Sequence, residues 1–228
     1  MICFWQRKLS TNSHEKTETS IALIFRVFRG SVLFPSLEQH THMPEIVRYV
    51  AFLRGINVGG NKLIRMEALA AAFTAAGFRN VKTYIASGNV IFDSRAAKPD
   101  LLAKKIEQKL LHTFGHQIAV MVFPLADLEA LVKRDPFKRA KRETDVMFVT
   151  FLRSEIARVK SPPESRTENL KVIAVQDRAA FIVARRKQNG RFGFPNNFIE
   201  KEFGVAATTR NWSTVEKIVI AGQAEKDV

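Results

Sequence analysis

The stretch YVAFLRGINVGGNKLIRMEALAAAFTAAGFRNVKTYIASGNVIFD, residues 49–93, decides the fold. Its opening belongs to an apolar strand, Val47 to Leu53, with no polar face, which places that strand in the middle of a sheet. The strand runs into the loop RGINVGGNK, Arg54 to Lys62, which holds three glycines, two asparagines, an arginine and a lysine. A helix follows, with Met66, Leu69, Phe73 and Ala76 on one face and Gly77 as its C-terminal stop. Val81 to Ala86 and Val90 to Asp93 are β-rich runs around Ser87-Gly88-Asn89, which signals a hairpin.

Further along, Pro99 and Asp100 open a second helix with Leu102, Ile106 and Leu110 as its stripe, and Ile118 to Phe123 reads as a strand. The order β-α-β-β-α-β predicts an α+β, ferredoxin-like (split βαβ, α/β-plait) unit: an antiparallel sheet with both helices on one face. Leu125 to Val132 is a short helix. A second cycle begins at Asp145. Val146 to Leu152 is a strand, then a short helix capped by Ser154 and stopped by Ser161-Pro162-Pro163. Lys171 to Val175 and Ala180 to Arg185 are strands. Asn197 with Glu200 opens a helix that ends at Phe203-Gly204, and Ser213 with Glu216 forms a capping box for the last one. The expected organisation is two ferredoxin-like subdomains with antiparallel sheets, residues 43–132 and 145–228, joined by a basic connector, residues 133–144.

Residues 1–42 break the pattern. Their apolar patch, Ile21 to Phe34, is interrupted by Arg26 and Arg29 and is too short to span a bilayer. They read as an N-terminal extension outside the fold, with Met43 as the natural start; an amphipathic membrane or targeting helix is the rival reading. Cys3 is the single cysteine, so an internal disulfide and a thiolate metal cluster are excluded and a cytoplasmic setting is expected. Beyond residue 42 only His112 and His116 remain, without a metal-ligand spacing, and neither a metal nor a cofactor is expected. The net charge of +14 points to polyanionic partners.

Three motifs, YVAFLRGINVGGNK, TYIASGNVIF and ATTRNWSTVEKI, resemble the signature stretches of the bacterial family called domain of unknown function 1697. The resemblance runs from Met43 to about Ala221. It implies two ferredoxin-like subdomains and assigns no activity, so no catalytic residue carries over; residues 1–42 have no counterpart in the family pattern.

Each motif has two readings. The glycine loop can cradle a phosphate, with Arg54 and Lys62 supplying charge and Asn57, Gly59 and Gly60 supplying polar and backbone groups. It lacks the Gly-Lys-Ser/Thr of a P-loop and the spacing of GxGxxG. Equally, it can be architecture, with Gly59-Gly60 at positive φ and Asn57 and Asn61 satisfying the backbone. Thr208-Thr209-Arg210-Asn211-Trp212 can bind an anion ahead of a helix through Thr209, Arg210 and Asn211, or can cap that helix while Trp212 enters the core. The basic runs Lys133-Arg134, Lys138-Arg139, Lys141-Arg142 and Arg185-Arg186-Lys187, with Phe137 and Phe192 nearby, can track phosphates or form a solvated face. Tyr49 and Phe92 are the one pair suggestive of an RNA-reading sheet. Ser87 reads as a turn residue, since no Gly-x-Ser-x-Gly elbow surrounds it. The leading expectation is a binding module for nucleic acid, a nucleotide or another phosphorylated molecule. A small enzyme with a pocket between the subdomains, lined by the glycine loop and the TTRNW segment, is the alternative; a protein-interaction module is the third. No membrane partner is expected.

Overall fold

The computed structural model describes residues 45–60, 62–141, 143–157, 159, 161–185 and 193–224, and the extension, residues 1–42, lies outside them. The first part of the chain follows the expected order: β1 (Ile46–Leu53), α1 (Met66–Ala75), β2 (Arg79–Tyr84), β3 (Asn89–Arg95), α2 (Pro99–Phe114), β4 (Val120–Pro124). The sheet has the order β2-β3-β1-β4 and is antiparallel throughout. Its central strand is the apolar β1, and Val50 sits opposite both Ile91 and Phe123. Arg48 of β1 grips Asp93 of β3 with two hydrogen bonds of 2.7 and 3.0 Å.

After α3 (Leu125–Arg134) come β5 (Asp145–Leu152), β6 (Glu164–Ser165), β7 (Leu170–Gln176), β8 (Ala179–Arg185), α4 (Pro195–Phe203), β9 (Ala207–Asn211) and α5 (Trp212–Gln223). They build a second antiparallel sheet, β6-β7-β8-β5-β9. The fold is therefore α+β, two antiparallel sheets with five helices among the described residues.

Three local expectations are corrected. No helix forms among the described residues of 153–163. At the expected stop, Ser161-Pro162-Pro163, the chain is already extended beside β7, where Val172 N donates to Pro163 O at 3.0 Å. Neither capping pair exists. α4 starts at Pro195, two residues before Asn197, and Glu200 is engaged elsewhere. α5 starts at Trp212 directly from strand β9, which leaves Ser213 inside the first turn. The TTRN residues are strand, paired to β5 with Thr209 opposite Thr150.

Alternation along β1 sends its side chains to two cores. Tyr49, Ala51 and Leu53 meet Leu69 and Phe73 of α1 and Ile106 of α2. Val50 and Phe52 point the other way, into a core shared with Val149, Phe151 and Phe181 of the second sheet. Phe52 and Phe151 stack there with centroids 4.0 Å apart and planes 11° from parallel. Phe137 of the connector is fully buried in this shared core, 5.2 Å from Trp212, so it is no platform for a base. Leu125 and Leu128 of α3 and Val215 and Ile218 of α5 complete it. The outer face of the second sheet packs on Phe198 and Ile199 of α4. Tyr49 and Phe92 stack at 5.7 Å beneath α1 and α2, both buried, which removes the RNA-reading arrangement.

Candidate functional site

The three sequence motifs meet at one place. β9 carries Arg210 under the C-terminal end of β1 and the β2–β3 turn, where the residue is 7% exposed. Nε donates to Asn89 Oδ1, Nη1 to Thr208 Oγ1 and Thr209 O, and Nη2 to Leu53 O, Ser87 O and Gly88 O. All these acceptors are neutral. Burial alone lowers its pKa to about 10, so the group stays cationic at neutral pH. The Phe52 ring lies 5.6 Å from the guanidinium carbon. Every donor nitrogen is used within the protein, and Arg210 has nothing left to offer an anion.

Asn57 completes this junction from the glycine loop. At φ 55, its Nδ2 donates to Ile64 O and to Ala86 O, at 3.0 and 2.9 Å, and its Oδ1 accepts from Ile64 N. Thus Asn57 and Arg210 hold successive carbonyls of the same turn, those of Ala86, Ser87 and Gly88. Gly88 itself must be glycine: φ is +78, and a Cβ would stand 2.8 Å from Ile56 and 2.9 Å from Leu53. Thr209 shares a buried hydroxyl contact of 2.8 Å with Thr150. Asn211 is exposed, and its side chain makes no capping hydrogen bond to α5.

The loop's cations point to a different place. Arg54 forms a forked ion pair with Glu200 of α4, at 2.6 and 2.7 Å. The hydrogen bond raises the pKa of Arg54. Burial pushes the Glu200 carboxyl up, but hydrogen bonds from Arg54 and from Ala207 N outweigh it and hold it below its usual value. Lys62 donates to Gln117 O at 2.9 Å. Both cations line a cleft of about 770 Å³ between α2 and the 204–206 segment, with Glu107 on its wall. Glu107 is already taken by Val120 N and Arg153. Gly59 and Gly60 have the positive φ expected of them, 61° and 77°, and face open space away from this cleft. The eight candidates do not form one site. Arg54 and Lys62 share a cleft, Arg54 paired with Glu200 and Lys62 donating to the Gln117 carbonyl; Asn57, Thr209 and Arg210 spend their polar groups on bonds within the protein; Gly59, Gly60 and Asn211 stand apart.

The basic runs converge instead. A groove of about 750 Å³ lies between the 135–140 segment and the inner face of β7 and β8. Arg134, Lys138, Arg139, Lys171 and Arg185 line it, against Asp135 and Asp145. Asp145 is buried, accepts from Lys141 N at 2.9 Å and pairs with Arg185 at 3.5 Å. Asp135 accepts from Phe137 N, and Arg134 pairs with Asp177 at 3.1 Å. Lys138, Arg139 and Lys171 have no carboxylate within ion-pair distance among the described residues. The run at Lys138-Arg139 is visible in sequence, but Lys171 is a lone lysine in a strand, and only the sheet brings it there. Arg186, Lys187 and Phe192 lie outside the described residues.

A family model described as "Protein of unknown function (DUF1697)" matches residues 46–181. Among solved structures, the conserved bacterial protein SP0830 from Streptococcus pneumoniae is similar in fold: the TM-score is 0.59 at 23% identity, covering 77% of this chain and 98% of that one. No curated protein matches.

Proposed function

The chain belongs to the DUF1697 family of proteins of unknown function, and from that premise we propose that it is a binding module for an anionic, phosphate-bearing ligand held in the basic groove. One observation carries this reading: five cations from the connector, β7 and β8 line one groove, and three of them have no carboxylate partner among the described residues. Cations left in this state attract multiply charged anions and release counterions on binding. The fit with a net charge of +14 is direct. Nucleic acid and phosphorylated small molecules both fall within the proposal, and the ligand candidates become Lys138, Arg139 and Lys171 rather than Arg54, Lys62 and Arg210.

The proposal extends to two related points. The first half is a ferredoxin-like unit and the second a variant of it: the strand orders β2-β3-β1-β4 and β7-β8-β5-β9 correspond, while the second half has the short strand β6 and no helix among the described residues between β5 and β7. The setting is cytoplasmic, supported by the single cysteine; no helix among the described residues is long and apolar enough to cross a membrane.

Titration of the full chain with pyrophosphate and with single- and double-stranded oligonucleotides, at two salt concentrations, tests the function. Binding should weaken steeply with salt. Lys171→Ala with Arg139→Ala should weaken it about tenfold or more, while Arg54→Ala leaves it unchanged. Absence of binding at low salt, or loss on Arg54→Ala alone, would overturn the assignment.

A further inference from the structure

The floor of the basic groove differs in chemistry from its rim. Leu131, Ile173, Ala174 and Val183 line it together with the cations. Ile173, Ala174 and Val183 are half-buried at the margin of the shared core. No aromatic ring lines the groove among the described residues. An anion pressed onto such a floor loses water and gains no donors, so a bare polyphosphate uses only the rim. A nucleobase finds no ring to stack on. The volume of about 750 Å³ is that of a small-molecule site. We infer that the groove takes a phosphate or diphosphate ester with an aliphatic body, the head group on Lys138, Arg139 and Lys171 and the chain along Ile173 and Val183. This rests on the anion-binding reading above and adds the class of ligand.

Three diphosphates separate the parts when titrated into the full chain by calorimetry: pyrophosphate, ADP and geranyl diphosphate. The geranyl ester should bind at least tenfold more tightly than pyrophosphate. Val183→Thr, which exchanges a methyl for a hydroxyl at nearly constant shape, and Ile173→Thr, which exchanges an ethyl for a hydroxyl, should erase that gain and leave pyrophosphate affinity unchanged, with melting curves verifying the fold. Lys171→Ala should weaken all three. Equal affinity for geranyl diphosphate and pyrophosphate overturns the aliphatic subsite while leaving anion binding intact, as does a gain shown by ADP alone. A geranyl gain that survives both threonine variants also overturns it. If none of the three binds, the anion-binding reading itself falls.

Discussion

Arg210 keeps a full charge in the interior with only neutral oxygens to meet it, and its replacement should be felt as a folding defect. Arg210→Met takes the donor from Ser87 O and from Oδ1 of the buried Asn89, while Leu53 O keeps Thr208 Oγ1 and Gly88 O keeps Leu53 N. Each buried orphan costs about 1–3 kcal/mol, so urea unfolding should show a loss of about 2 kcal/mol or more. Lysine cannot reproduce the fork, and Arg210→Lys should recover little. Two glycines separate conformational cost from collision. Gly60→Ala, at φ +77 in open space, should lose about 1 kcal/mol. Gly88→Ala adds contacts of 2.8–2.9 Å with Ile56 and Leu53 and should lose clearly more in the same assay. In sequence, Arg210 beside two threonines suits an anion site and a structural junction equally well. What decides is the arrival of carbonyls from residues 53, 87 and 88, and that is a property of the packed chain.

At the scale of elements, the Arg48–Asp93 pair fastens β1 to β3, and Arg48 Nη1 also donates to Gly222 O at the end of α5. Burial pushes the Asp93 carboxyl up, yet hydrogen bonds from Arg48 and Asn80 win and hold it below its usual value. A carboxyl lowered on folding stabilises the native state above its unfolded pKa, about 4, and that contribution is lost as pH falls through the folded value. Glu200 acts in the same direction. The urea midpoint should therefore drop on going from pH 5 to pH 3, and Asp93→Asn should flatten that drop while lowering the midpoint at pH 7. The elements of the first sheet were readable because apolar period, proline and turn signals agreed there. After β5, Ser154 and the two prolines bracket a helix-sized interval, yet the described residues there form no helix and the chain joins β7 from Pro163 onward, a pairing that no local signal announces.

For the molecule as a whole, the two sheets share Phe52, Phe151, Phe137 and Trp212 in one core, so neither should melt alone. Far-UV circular dichroism and the fluorescence of Trp212, read in a Trp5→Phe background, should give coincident urea transitions. Two separated transitions would mean that the shared core contributes little coupling. Phe52→Ala should cost about 3–5 kcal/mol, with Phe151→Ala non-additive to it, since the rings are in contact. The cationic character of the groove was legible in the runs at 138–139 and at 185. Its location was not, because Lys171 joins them through sheet register.

The bond from Arg210 to Leu53 spans 157 positions of sequence. During synthesis the β1–β3 end must wait, its carbonyls facing water, until nearly the whole chain has left the ribosome. Contacts this remote slow the search for the native state, and a nascent chain halted before β9 lacks the residue that closes the junction. Slow translation ahead of β9 therefore prolongs the interval in which the first sheet stays unlocked, and chaperone demand should concentrate on it.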